Sequence, residues 1–154
     1  MNLIISEFKD EYAFLSNFYP SPIVLPGGHT APSLEHAFQS YKCQRDEDFE
    51  LVLSAVTPGA AKRLGRQVSL RTDWEAAKIK VMRWLLTLKF NLGGSELSAR
   101  LLATDDALLV EGNSWGDRFW GVYEDLGDNW LGYLLMGRRA ELRAVARDET
   151  ERTR

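Results

Sequence analysis

The sequence predicts an α+β fold, a single mostly helical domain with a small sheet. Helical patterns bounded by recognisable caps outnumber strand patterns, and the strands are short. Helices and strands also do not alternate strictly, as a wound parallel sheet would require. With 154 residues, 45% of them hydrophobic, the chain is long enough for one domain with a proper core. The expected boundaries are 1–147 for the domain and 148–154 for a charged, frayed tail. No repeat or linker interrupts it.

In chain order, residues 3–8 read as a short strand. Ser16-Asn17 reads as a turn held between Phe14 and Phe18, because Ser and Asn side chains bond local backbone. Ile23-Val24-Leu25 is a second strand, with Gly27-Gly28 as its hairpin turn. Ser33 then caps a helix over 34–42. Acidic residues in the first turn mark a helix over 46–55. Thr57 before Pro58 starts a third, which Gly65 closes. Thr72 and Glu75 have capping-box spacing, so the longest helix spans 73–91, burying Ala77, Val81, Trp84, Leu85 and Leu88. Gly93-Gly94 ends it. Ser95 caps a helix through Leu102, Leu108-Leu109-Val110 returns as a strand, and the last helix covers 131–146.

Bulk properties exclude several functions. A net charge of −3 argues against non-specific binding of nucleic acid. The single cysteine, Cys43, forms no internal disulfide and fits a reducing compartment. No apolar run approaches the roughly 20 residues of a membrane span. Glu7 and Asp10 behind a short apolar patch do not resemble a signal peptide. A cytoplasmic protein without membrane contact is expected. Two histidines and one cysteine give no metal-ligand spacing, so no metal or cofactor is expected.

Two stretches carry chemistry. In the helix after Ser33, Leu34, Ala37, Phe38 and Tyr41 make an apolar stripe, and Glu35, Gln39 and Lys42 make a polar one beside it. A carboxylate, an amide and an ammonium therefore line the edge of the core, where a pocket wall would be. The bland alternative is that they sit at the water boundary. The second stretch runs from Glu111 to Asn129, a long loop rich in glycine and tryptophan. Such loops tend to be functional or disordered, and two tryptophans are costly to leave wet, so a structured binding loop is expected. There Trp115 or Trp120 offers a flat face to a base or sugar, Gly116 and its fellow glycines let backbone N–H groups approach a ligand, and Asp117 bonds a ribose hydroxyl. The alternative is that both tryptophans anchor the loop to the core.

Seven motifs occur together in order: Phe14-Leu15-Ser16-Asn17-Phe18, the run from Ser33 to Lys42, Leu64-Gly65-Arg66, Asp73-Trp74-Glu75, Leu101-Leu102-Ala103-Thr104, Trp115-Gly116-Asp117, and the run from Asn129 to Met136. The set resembles the NADAR (NAD- and ADP-ribose-associated, or YbiA-like) family over residues 14–139. Riboflavin-pathway members follow Trp-Gly-Asp with a glycine-rich turn. Here Arg118-Phe119-Trp120 follows, which leaves the choice of substrate open.

The resemblance implies metal-free N-glycosidase chemistry at ribose C1. The implied partner is a ribosyl nucleotide, either a phosphoribosylamino-pyrimidine of riboflavin synthesis or ADP-ribose on guanine, the latter including modified nucleic acid. The candidate catalytic residues are Glu35, Lys42 and Asp117. The candidate substrate-binding residues are Asn17, Phe18, Gln39, Arg66, Trp115, Gly116, Trp120 and Asn129.

Cleavage of C1–N builds positive charge on the sugar, which a carboxylate stabilises. Glu35, kept ionised by its helix N-terminus, fits that role or that of a base orienting water. The same dipole argues against Glu35 as general acid. Asp117 holds the ribose or assists proton transfer. Lys42 either attacks C1 with ring opening to form a Schiff base or binds phosphate as a point charge. The first route needs a partly neutral amine, which Glu35 opposes. Arg66 is a phosphate ligand or an ordinary surface arginine. A non-catalytic module that binds NAD or ADP-ribose and signals to a partner is the alternative function.

Overall fold

The computed structural model describes residues 3–93 and 95–153 and has the expected α+β character. In chain order it contains β1 (Ile4–Ile5), a 3-10 helix (Asp10–Leu15), β2 (Pro20–Val24), β3 (Thr30–Ser33), α1 (Leu34–Tyr41), α2 (Asp46–Leu53), α3 (Pro58–Gly65), α4 (Trp74–Lys89), α5 (Glu96–Leu102), β4 (Leu108–Leu109) and α6 (Trp130–Arg152). Two compact units form, one from Asn17–Lys89, the other from Met1–Ser16 with Phe90–Arg154.

In the unit Asn17–Lys89, β2 and β3 make the expected antiparallel hairpin, with Ile23 opposite Ala31 and Val24 opposite Thr30. Gly27 and Gly28 turn it, at φ of 85° and 86°. The ladder is irregular between Pro20 and Ile23, where Pro22 has no N–H to contribute. The hairpin feeds α1, whose first turn is capped as expected: the Ser33 hydroxyl accepts from the His36 N–H at 3.3 Å. Within this unit α1 is central, packing on β2, β3, α2, α3 and α4. Leu34 through Ser40 are all buried. The polar stripe therefore lies inside the fold and not at its edge. Thr57 caps α3, accepting from the Ala60 N–H at 3.0 Å.

Helix α3 ends at Gly65 as expected, and Arg66 beyond it is still right-handed. One expectation for this unit needs correction: the buried face of α4 is turned from the expected one. Trp74, Met82, Leu85, Leu86 and Lys89 are buried, whereas Ala77, Val81, Trp84 and Leu88 are half-buried. Apolar residues cover two neighbouring stripes of α4, so periodicity alone does not choose between them. Trp84 stands edge-on to Tyr41 with centroids 5.2 Å apart. Lys89 is admitted to the buried face because its ammonium lies 5.8 Å over the Tyr19 ring. After α4, the Asn91 side chain accepts from the Gly93 N–H at 3.0 Å; Gly94 lies outside the described residues.

In the other unit, β1 and β4 run parallel, pairing Ile4 with Leu108 and Ile5 with Leu109. Ser95 caps α5 as expected, accepting from the Ser98 N–H at 3.2 Å. The last helix extends to Arg152, well past the expected end, so residues 148–152 are helical and not frayed. The stretch 140–152 holds no glycine or proline and consists mostly of good helix formers. Among the described residues no helix is long and apolar enough to cross a membrane.

Candidate active site

Glu35 sits in the first turn of α1, and its backbone N–H donates to the Asn17 carbonyl at 3.0 Å. The side chain is 5% exposed. Its Oε1 accepts from Gln39 Nε2, one turn along the helix, at 2.7 Å. An amide N–H can only donate, so this contact suits an ionised carboxylate, as the helix N-terminus also does. Gln39 is itself 6% exposed. Its Oε1 points to Gly65 of α3, where an added Cβ would overlap it and come within 2.8 Å of Lys42 Cε. Gly65 is thus required for space: its bare Cα lets the amide and the lysine stem lie against α3.

The Oε1 of Gln39 accepts no hydrogen bond, and neither does Oδ1 of Asn17, although both atoms are buried. Buried acceptors left without a donor are uncommon in folded proteins. Gln39 Oε1 faces Gly65, and the Asn17 side chain faces Met82, its Nδ2 donating to Sδ at 3.8 Å.

Lys42 follows the last turn of α1. Burial is the main influence on its ammonium and pushes the pKa down. Glu35 and Cys43 push it up, and Arg66 and Lys62 push it down. Desolvation prevails over the carboxylate, so the neutral amine is more accessible than for an ordinary lysine. Cys43 differs. Burial, followed by Asp48, raises its thiol to about 11, which leaves little thiolate near neutrality.

His36 is buried within the fold. Its Nε2 donates to the Ala55 carbonyl at 3.0 Å, and its Nδ1, 2.7 Å from the Ser33 hydroxyl, accepts from it. Both ring nitrogens are occupied in the neutral form, a structural arrangement. Phe18 is 41% exposed, with Lys62 Nζ 5.8 Å from its ring centroid. Arg66 is exposed. Among the described residues no group of three His, Cys, Asp or Glu side chains is placed to hold a metal ion.

The loop between β4 and α6 belongs to the other unit, and three of its polar side chains, Asp117, Asn113 and Asn129, bond backbone of the loop or of the strand before it. Asp117 Oδ1 accepts from the Phe119 and Trp120 N–H groups at 3.0 and 2.9 Å. Asn113 brackets Asp117, accepting from its N–H at 2.9 Å and donating to its carbonyl at 2.7 Å. Asn129 accepts from the Glu111 N–H at 3.0 Å and donates to the Leu109 carbonyl at 2.9 Å. The loop is ordered by these bonds, as expected of a structured segment. Its glycines mostly do something other than admit a ligand. A Cβ on Gly121 would overlap the Glu111 carbonyl, and one on Gly127 the Gly121 carbonyl. Gly116, at φ 87° with open space around it, differs from them. Trp120 is half-buried and edge-on to Phe119 at 4.9 Å, while Trp115 is 58% exposed.

Of the residues singled out in sequence, Asn17, Phe18, Glu35, Gln39, Lys42 and Arg66 share one unit, gathered around α1. Trp115, Gly116, Asp117, Trp120 and Asn129 belong to the other. The sequence reading placed the end of α3 at Gly65, where it lies, but missed that Gln39 and Lys42 pack against that glycine.

A family model described as the NADAR domain matches residues 5–143. The chain belongs to the NADAR family. The match runs through both units. The chain is 42% identical to N-glycosidase YbiA of Escherichia coli K12 over 137 residues, 87% of this chain and 84% of that protein. It is 38% identical to an N-glycosidase of Nostoc punctiforme, covering 93% of this chain and 94% of the relative. A riboflavin biosynthesis protein of Vibrio vulnificus is 39% identical over 91% of this chain, a match that covers 38% of that longer protein. The NMR structure of E. coli YbiA superposes with a TM-score of 0.83 at 39% identity, covering 95% of this chain and 89% of that one. With relatives of this kind, the NADAR chain is a hydrolase of N-glycosyl bonds.

Proposed function

We propose that this NADAR enzyme cleaves the bond between ribose C1 and the nitrogen of a ribosylated nucleobase, with Glu35 of α1 and Lys42 just after it as the reacting groups. The carrying observation is the row on α1: a buried carboxylate held by Gln39, followed by a lysine whose ammonium burial disfavours. Glu35 stabilises the positive charge that develops at C1 as the bond to nitrogen breaks. The neutral Lys42 amine bonds to C1 as the C1–O4 ring bond breaks, one amine proton passing to the ring oxygen; the C1–N bond to the base then breaks, and the base leaves with the second amine proton, which leaves C1 as an imine of Lys42. Water then hydrolyses the resulting imine, which returns the lysine and frees the sugar.

Asp117 is left outside the chemistry, because its Oδ1 already accepts two N–H groups of its own turn. The relative named for riboflavin biosynthesis and the net charge of −3 support a small nucleotide of the phosphoribosylamino-pyrimidine class over a nucleic-acid polymer.

The test is base release, followed by mass spectrometry, from that pyrimidine and from an oligonucleotide carrying ADP-ribosyl-guanine, given separately. Release from the pyrimidine is expected. Release from guanine alone would move the substrate to ADP-ribosylated bases. Saturable ADP-ribose binding with no release from either would replace the enzyme with a binding module.

A further inference from the structure

The amide of Gln39 is committed at both ends. Its Nε2 donates to Glu35 Oε1 at 2.7 Å, one turn back on α1. Its Oε1 lies against Gly65 of α3, where an added Cβ would overlap that oxygen and stand 3.0 Å from Cδ. The orientation follows from chemistry as well as from contact. Reversed, the amide would set its oxygen 2.7 Å from a carboxylate oxygen, two acceptors with no proton between them. As it stands, Oε1 is buried without a donor, which costs free energy that an apolar side chain in the same slot would not. The amide is therefore explained by its N–H, and the contact that N–H makes is with Glu35.

We propose that Gln39 serves the reaction through Glu35, as a positioning residue that holds the ionised carboxylate in one orientation, with Gly65 as its backstop. The inference rests on the N-glycosidase reading of Glu35, and it replaces the substrate-binding role that the family resemblance implies for Gln39. A glutamate turns about three side-chain torsions. A carboxylate fixed in advance stabilises charge at C1 without reorganising as that charge appears, and a displacement of about 1 Å costs on the order of 10²-fold in rate. The ordinary explanation is an i, i+4 pair that supports the helix and does nothing more. Such pairs belong to helix surfaces, whereas here both residues are buried and α3 carries no side chain at the point where Gln39 meets it.

The experiment is kinetic: kcat and KM for base release from the pyrimidine and the oligonucleotide named above, with melting temperatures alongside. It compares wild type, Gln39→Met, Glu35→Gln and the double variant. Methionine matches the length of glutamine and removes the donor. Gln39→Met is expected to lose about 10- to 100-fold in kcat, with KM within about twofold of wild type. In the Glu35→Gln background the same substitution should cost nothing further, the non-additivity of two residues that act as a unit. A raised KM at constant kcat would make Gln39 a substrate ligand. An equal loss in both backgrounds would make it act apart from Glu35, and wild-type kinetics with a lowered melting temperature would leave only helix pairing. Each of these overturns the proposal while the N-glycosidase reading stands. No release by wild type from either substrate, or wild-type turnover in Glu35→Gln, overturns that reading and this role with it. If Gln39→Met does not fold, Gln39→Asn, one methylene too short to reach Glu35, is read in the same way.

Discussion

Helix α1 and the loop from β4 to α6 stand out equally in the sequence, and they place their polar side chains in opposite ways. In the loop, Asp117, Asn113 and Asn129 bond backbone groups of the same segment or its immediate neighbours. Such bonds fix an irregular backbone that has no ladder of its own. On α1, Glu35 and Gln39 are buried among apolar neighbours and bond each other, yet Gln39 retains a buried acceptor without a donor. Beside them is a lysine that burial pushes toward its neutral form. A polar cluster that closes on its own backbone builds structure. The proposed chemistry draws on the cluster that enters the core.

The largest effect that would break this comparison is at Lys42. Lys42→Ala should lower the rate of base release by about 10³-fold and abolish an imine trapped by borohydride on the peptide containing residue 42. The pH dependence of trapping carries a definite sign. Because the Lys42 pKa is lowered, the neutral amine appears as pH rises through that lowered value. Trapping should therefore rise and level off below the pH near 10.4 that an ordinary lysine needs. A wild-type rate in the variant would remove Lys42 from the reaction.

Gly65→Ala comes next. An added Cβ displaces the Gln39 amide and the Lys42 stem, so the turnover number should fall by roughly 10- to 100-fold. The melting temperature should drop only modestly, since the two side chains can swing aside. Smaller still is Asp117→Ala, which leaves two N–H groups of the loop without their acceptor. It should cost about 1–3 kcal/mol of stability in chemical denaturation, with activity per folded molecule retained.

Much of this fold is legible in sequence because local chemistry writes it. Ser33, Thr57 and Ser95 each cap the helix they precede, and Gly27-Gly28 turns the expected hairpin. What resists reading is set by tertiary contact. The buried face of α4 depends on which of two apolar stripes meets the neighbouring elements, and Lys89 joins it through the Tyr19 ring, which a hydrophobic pattern counts against. Glu35, Gln39 and Lys42 are visible as a row through their spacing. Their depth is not, because it depends on α1 being covered on every side. Gly65 resembles a helix stop, and only the approach of Gln39 and Lys42 from α1 reveals its actual constraint. Gly121 and Gly127 mislead for a related reason, since the carbonyls they clear come from elsewhere in their own loop.

The most direct test of the account is single-turnover base release by Glu35→Gln and Asp117→Asn, measured side by side with their thermal stabilities. Each substitution replaces a carboxylate with an amide of the same size, and in the loop variant the amide oxygen would still be offered to the Phe119 and Trp120 N–H groups. The account predicts that Glu35→Gln loses about 10³-fold or more in rate with little change in stability, while Asp117→Asn stays within about threefold of wild type. A collapse of activity in Asp117→Asn, or wild-type turnover in Glu35→Gln, would contradict it and move the chemistry from the helix to the loop.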